Sequence, residues 1–149
     1  MDDRPIDATL RTTWLAIARM YNEIASHYNS TMPTGFALLN LDRKKGVSST
    51  ELAIKLGMEA TSLSRVLRSM EEKQLITREK STLDKRSVLI HLTPFGIEMR
   101  EVAKEYVRDF NLQVEEAISA EQKKYFYEVI HSIMRIIEKR ENYKLMYNH

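Results

Sequence analysis

The amino-acid sequence predicts a mainly α-helical protein with one small β-hairpin. Only four glycines and three prolines interrupt 149 residues, so few residues limit the length of helices. Apolar residues recur at spacings of three and four through most of the chain, as in amphipathic helices. Two short alternating runs, at residues 75–80 and 87–92, depart from that spacing and indicate a pair of strands.

The composition bounds the class of protein. A hydrophobic content of 43% suffices for a core, and a formal net charge of +2 means that any nucleic-acid surface must be local. The absence of cysteine excludes disulfides and thiolate metal sites. The chain has no apolar run near the roughly 18 residues of a membrane span, and its acidic start lacks the apolar part of a signal peptide. We therefore expect a cytoplasmic protein with no membrane partner.

Two helices are predicted before the middle of the chain. The first covers residues 6–28, with Pro5 at a position that a first helical turn tolerates. Polar residues and a proline then break the pattern, and a shorter helix is predicted over residues 34–45. Gly46 should cap that helix, because glycine adopts positive φ without steric cost.

A helix-turn-helix is predicted next. Ser48 and Glu51 have the spacing of a capping box, and the helix that they open should end at Gly57. The following helix, over residues 60–73, turns one apolar face inward: Leu63, Val66, Leu67 and Met70. Its other face carries hydroxyls and guanidinium groups, which can hydrogen-bond base edges and phosphates: Thr61, Ser62, Ser64, Arg65 and Arg68. A merely solvated helix face is the open alternative.

The two predicted strands enclose a charged tip at residues 81–86. Seven basic residues stand against four acidic ones between residues 61 and 86, a larger surplus than that of the whole chain. The positive potential is therefore concentrated here. Asp84 lies two residues before Arg86, so the two could form an ion pair that orients the guanidinium. An exposed, flexible pair of little energetic value is the alternative.

The C-terminal third predicts two long helices. Thr93 and Pro94 suit the start of the first, and Ser119 with Gln122 repeats the capping-box spacing before the second, which should run to about residue 142. That last helix is apolar around most of its circumference and needs burial on more than one side. A symmetric homodimer would provide it. A monomer whose long helices fold back on one another is the alternative.

Three runs of residues resemble the multiple-antibiotic-resistance regulator (MarR) family of bacterial transcription factors: ELAIKLG from residue 51, SLSRVLRSMEEKQLI from residue 62, and DKRSVLIHLTPFG from residue 84. The resemblance implies one MarR-type domain over residues 1–149. A winged helix-turn-helix would occupy about 34–95, and dimerisation helices about 5–30 and 94–142. It implies a DNA-binding regulator whose helix 60–73 enters the major groove. Lys85 and Arg86 of the wing would reach DNA, with Asp84 holding Arg86 toward the minor groove.

The two-fold axis of such a dimer predicts a pseudo-palindromic operator with half-sites about 10 bp apart. Relatives usually have glycine where this chain has Gln74, at the end of the predicted DNA-reading helix. If that backbone needs positive φ, glutamine is strained by about 1 kcal/mol. A helix that ends in another way is the alternative.

The family resemblance also implies control by a small aromatic or amphipathic effector, with repression relieved by the ligand as the default. Six candidate lining residues are Trp14, Ile17, Tyr21, His27, Tyr28 and Phe36. Each of them could instead be an ordinary core or interface residue. No motif predicts a cofactor.

An enzyme is not predicted. The four histidines are dispersed, and no HExxH, GxSxG or phosphate-cradling glycine loop is present. We therefore expect neither a catalytic nor a metal site. A winged-helix module that binds proteins without reading DNA is the remaining competitor.

Overall fold

A computed structural model describes residues 3–80 and 88–147, with side chains described as far as residue 140. It confirms the mainly helical fold with a small β-wing. The chain forms two compact units, Met1–Glu105 and Tyr106–His149. Along the chain the elements are α1 Ile6–Ser26, α2 Met32–Asn40, β1 Val47–Ser48, α3 Ser49–Leu56, α4 Ala60–Glu72, β2 Ile76–Lys80, β3 Val88–Leu92, α5 Pro94–Ala117 and α6 Ala120–Tyr147.

The bounds predicted for α2, residues 34–45, are wrong at both ends. The helix begins at Met32, because the Thr31 hydroxyl accepts the backbone N–H of Thr34 at 3.4 Å. It ends at Asn40, and the Asp42 carboxylate then accepts the backbone N–H groups of Lys44 and Lys45, both at 2.7 Å. Such local side-chain bonds offer the backbone an alternative to further helix.

Gly46 does not cap α2, contrary to the prediction. Its role is a close approach: a Cβ at this position would lie 2.5 Å from Nε2 of His91. The side chain of His91, on β3, therefore fills the space that any other residue at position 46 would need.

Three other helix ends also differ from their predicted positions. Helix α1 ends at Ser26, and Asn29 then adopts φ 50° while the Ser30 N–H donates to the Ala25 carbonyl at 3.0 Å. Helix α4 ends one residue before its predicted end, and α6 extends to Tyr147.

The wing belongs to a three-stranded antiparallel sheet in the order β1-β3-β2. Ile90 of β3 pairs with Val47 of β1 and with Arg78 of β2. The hairpin of β2 and β3 was predicted. Strand β1 was not, because two residues are too short to display an alternating pattern.

The core lies in the first unit, where α2, α3 and α4 pack with the sheet. Its buried members among the described residues are Ala37, Leu38, Leu41, Val47, Leu52, Leu63, Leu67, Met70, Leu75, Ile76 and Ile90. Leu52, predicted to face inward, is fully buried, whereas Ala53 and Leu56 are half-buried against the cluster.

The second unit consists of the C-terminal part of α5 and the whole of α6. Its predicted capping box is complete: Gln122 N–H donates to the Ser119 hydroxyl at 3.1 Å, and Ser119 N–H donates to Gln122 Oε1 at 2.8 Å. Lys123 pairs with Glu115 across the turn. None of residues 106–140 is buried. This unit therefore has no core of its own among its described side chains.

Candidate nucleic-acid interface

Helices α3 and α4 form the predicted helix-turn-helix. The Ser48 hydroxyl accepts the Glu51 N–H at 3.1 Å and starts α3. Gly57 ends it at φ 60°, and the next amide, of Met58, donates to the Ala53 carbonyl at 3.0 Å. This left-handed glycine turns the chain sharply into α4, as a helix-turn-helix requires.

Helix α4 has one buried and one exposed face. Leu63, Leu67 and Met70 are each at most 3% exposed and fix the helix to the core. The side chains predicted to read DNA all lie on the exposed face: Thr61, Ser62, Ser64, Arg65 and Arg68. The opposite face is anchored, so these polar groups project from a rigid support.

The two arginines of this face differ in their surroundings. Arg68 Nε lies 3.0 Å from Glu72 Oε1, one turn along the helix, and its side chain is 80% exposed. Arg65 pairs with no carboxylate in the part of the chain that the structure describes. An exposed pair of this kind contributes little stability, so both guanidinium groups remain available to an anionic partner.

Gln74, at the end of α4, adopts positive φ, 58°. The Gln74 N–H donates to Glu71 O at 2.9 Å and the Leu75 N–H to Met70 O at 2.9 Å. These two bonds are those of a Schellman motif, in which the left-handed position favours glycine. Helix α4 therefore ends with the positive φ that glycine favours, and Gln74 adopts this φ with backbone strain.

Thr93 holds this turn against the start of α5. Its hydroxyl donates to the Gln74 carbonyl at 2.6 Å and accepts the Gly96 N–H at 2.9 Å. Its own N–H donates to the Leu75 carbonyl at 3.1 Å. A Cβ at Gly96 would overlap that same carbonyl oxygen. We call Gln74, Leu75, Thr93 and Gly96 the α4–α5 clamp; sequence reasoning predicted only the capping role of Thr93.

The described part of the wing contacts α4 through an ion pair. Arg78 of β2 lies 3.1 Å from Glu71 Oε2 of α4. The predicted tip residues Asp84, Lys85 and Arg86 lie outside the described residues, so their ion pair and DNA contacts stay predictions.

A groove of about 640 Å³ separates α3 and α4 from the wing strands. Ser64 of the exposed face lines it together with Arg78 and Lys80 of β2. The sequence predicted a local concentration of positive charge over residues 61–86, and the groove brings two of its basic residues beside α4.

Three of the six candidate effector residues, Trp14, Tyr21 and Phe36, form one aromatic cluster. Phe36 of α2 packs against two of them on α1: its ring centroid lies 6.3 Å from that of Trp14 and 5.8 Å from that of Tyr21. Burial raises the pKa of the Tyr21 hydroxyl. Ile17 is half-buried, whereas His27 and Tyr28 are exposed. The aromatic cluster packs α1 against α2.

Among the side chains described at residues 3–80 and 88–140, no group of three or more acidic or histidine residues is arranged to hold a metal ion. No helix within residues 3–80 and 88–147 is both long and apolar enough to cross a membrane.

The helix-turn-helix, the three-stranded sheet and the hairpin beside α4 define a winged helix-turn-helix protein. Residues 30–88 match the sequence model of the MarR family. This segment of the chain is therefore similar to the MarR family, as the motifs predicted.

Two relatives of the chain are named as transcriptional regulators. The chain is 33% identical over 87 residues to the organic hydroperoxide resistance transcriptional regulator of Bacillus subtilis, covering 58% of this chain and 59% of that protein. It is 35% identical over 72 residues to the HTH-type transcriptional regulator MgrA of Staphylococcus aureus, covering 48% and 49%. The chain thus spans about half to three fifths of the length of these relatives.

The fold is similar to that in the crystal structure of the S. aureus MepR–DNA complex. The TM-score is 0.83 at 18% sequence identity, over 91% of this chain and 99% of that one. At this identity the likeness concerns the fold alone.

Proposed function

We propose that this chain is a sequence-specific DNA-binding transcriptional regulator that acts as a homodimer on a pseudo-palindromic operator. The observation that carries the proposal is the two-faced α4, whose buried leucines anchor an exposed row of hydroxyl and guanidinium groups. A helix of this shape fits a major groove, where such groups hydrogen-bond base edges. The names of the relatives, all transcriptional regulators, support it.

Each side chain has a proposed role. Arg65 and Arg68 bind guanine edges or phosphates, and Thr61, Ser62 and Ser64 contact bases or backbone. Lys85 and Arg86 of the wing bind the neighbouring minor groove, with Asp84 orienting Arg86. The winged helix-turn-helix of residues 34–95 supplies these contacts.

A homodimer formed by residues 5–30 and 94–142 supplies the spacing between the two copies. Its support is the exposure of large apolar side chains on α1 and α6, among them Trp14 at 50%, Phe126 at 55% and Ile136 at 55%. Large apolar side chains exposed on a helix are typical of an interface. The two-fold axis places the half-sites about 10 bp apart.

The proposal includes control of DNA binding by an effector. A small aromatic or amphipathic molecule binds near Trp14, Ile17, Tyr21, His27, Tyr28 and Phe36 and releases the operator by favouring a dimer with wrongly spaced α4 helices. The protein acts in the cytoplasm as a repressor and catalyses no reaction.

The proposal is tested by gel shift with DNA from upstream of the protein's own gene. We expect a specific complex whose affinity falls steeply with salt, through release of counterions from phosphates. Arg65→Ala or Arg86→Ala should weaken it by about 1 to 3 kcal/mol. Lys139→Ala, an exposed lysine of α6 that loses the same charge, is the control and should change little.

If no salt-sensitive specific complex forms, or if Arg65→Ala and Lys139→Ala behave alike, DNA reading by α4 is wrong. A protein-binding winged helix would then be the better interpretation.

A further inference from the structure

A second cavity, of about 630 Å³, lies beside the loop that joins α2 to β1. Glu51 and Lys55 of α3 and Arg100 of α5 complete its walls. On α3, Thr50 and Ile54 line the groove that contains Ser64 of α4 instead. The two cavities therefore use different faces of α3, and this one is not part of the α4 surface.

The cavity is strongly basic. Its lining includes five cationic side chains against two carboxylates: Arg43, Lys44, Lys45, Lys55 and Arg100 against Asp42 and Glu51. Both carboxylates are engaged. Asp42 accepts two backbone N–H groups of its own loop, and Glu51 pairs with Lys55 at 2.7 Å. The loop amides of Lys44 and Lys45 hold the pKa of Asp42 below its usual range, so this loop bond persists at neutral pH.

Arg100 is the best-placed anion ligand in the wall. Its side chain is only 20% exposed, and its Nε is buried with no hydrogen-bond acceptor in the described chain. Its Nη1 lies 3.1 Å from Glu101 Oε1, and Arg43 Nη1 lies 3.6 Å from the same oxygen. One carboxylate thus serves two guanidinium groups. A guanidinium–phosphate contact is charge-assisted and directional, so the guanidinium of Arg100 suits a phosphate oxygen.

Two exposed lysines add positive charge to the lining. The side chains of Lys44 and Lys45 are exposed, and neither pairs with a carboxylate of residues 3–80 or 88–140. A compact ammonium group binds phosphate as a point charge, whereas guanidinium adds the directional contact.

We propose that this cavity is a binding site for a phosphate-bearing small molecule, with Arg100 and Arg43 contacting phosphate oxygens and Lys44 and Lys45 closing over them. The surplus of positive charge suits a phosphate group, which carries more than one negative charge near neutral pH. The volume is within the range of small-molecule sites, about 300 to 1,000 Å³. The site does not depend on the proposed DNA-binding function, since none of its ligands lies on α4.

The probe is inorganic pyrophosphate, titrated into the full chain at fixed ionic strength and followed by amide NMR shifts and calorimetry. We expect saturable binding, with shifts centred on residues 42–46 and 100. Arg100→Gln should weaken it about tenfold, the loss of one charge-assisted contact. The double variant K44Q/K45Q changes only exposed loop side chains and should weaken it as well. Lys139→Gln is the charge-matched control and should bind like the parent.

Three results would overturn the proposal. One is the absence of saturation, and another is equal affinity for K44Q/K45Q and the Lys139→Gln control. Because Arg100→Gln also removes a partner of Glu101, the lysine variant decides if the arginine variant misfolds. The third is a duplex DNA of unrelated sequence that shifts residues 42–46 when pyrophosphate does not, since the cavity would then contact the DNA backbone.

Discussion

The two compact units of the chain differ in what they bury. Met1–Glu105 contains all eleven buried apolar residues of the described core, whereas none of residues 106–140 is buried. Yet the second unit is rich in large apolar side chains, such as Phe126, Val129 and Ile136, each at least 50% exposed. The first unit therefore has a hydrophobic core of its own. The second exposes apolar surface that the proposed dimer would cover.

Truncation of a core side chain in the first unit should have the largest effect on stability. Leu52→Ala removes a fully buried side chain and should lower the free energy of unfolding by about 2 to 5 kcal/mol. Ile54→Ala on the same helix is the control, because Ile54 is 77% exposed and should change stability by no more than about 0.5 kcal/mol. Urea denaturation measures both. Similar losses for the two variants would mean that α3 does not pack as described.

The matching change in the second unit should act on association. Phe126→Ala combined with Ile136→Ala removes two exposed apolar side chains of α6 and should weaken dimerisation by about 2 kcal/mol or more, roughly thirtyfold in the dissociation constant. Sedimentation velocity over a dilution series measures it. Lys124→Ala, also on α6, is the control. A parent that is already monomeric at micromolar concentration would contradict the proposed dimer.

The hydrogen bonds of the α4–α5 clamp should also contribute to the stability of the first unit. Thr93→Val keeps the shape of the side chain but leaves the Gln74 carbonyl and the Gly96 N–H without their hydroxyl partner. We expect a loss of about 1 to 2 kcal/mol in stability. Thr93→Ser retains the hydroxyl and should lose less than half of that. Thermal unfolding compares the three proteins, and equal stability of the valine and serine variants would rule out the hydrogen bonds as the cause.

The smallest expected effects concern two turns that share a left-handed backbone conformation. Gly57 and Gln74 have φ 60° and 58°, but only the first is glycine. Gln74→Gly should therefore stabilise the protein by about 0.5 to 1 kcal/mol, whereas Gly57→Ala should destabilise it by about 1 kcal/mol. Denaturant midpoints measure both changes. A Gln74→Gly protein less stable than its parent would show that the glutamine side chain contributes contacts that outweigh backbone strain.

The sequence predicted the parts of this fold that have a local cause. Spacing identified α1, and capping residues marked the starts of α3, α5 and α6, because each signal lies within one helical turn. The end of α2 was missed because the Asp42 carboxylate bonds the following loop amides, which no periodicity displays. Strand β1 exists through pairing with β3, a contact between distant residues.

The candidate site was predictable to a similar extent. The exposed face of α4 followed from its helical pattern, since every inward position was apolar. The α4–α5 clamp and the basic cavity beside residues 42–46 could not be predicted, because both join segments that lie about 20 to more than 50 residues apart. Their partners become visible only once the tertiary contacts are known.

DNA reading by a dimer can be measured by selecting the fragments that the purified chain binds from random double-stranded DNA. If two copies of α4 read DNA from one dimer, the enriched fragments should contain a pseudo-palindrome whose half-sites are centred about 10 bp apart. Arg65→Ala should lose the enrichment at particular base positions. Recovery of no enriched sequence, or of single half-sites without two-fold repetition, would contradict DNA reading by two copies of α4.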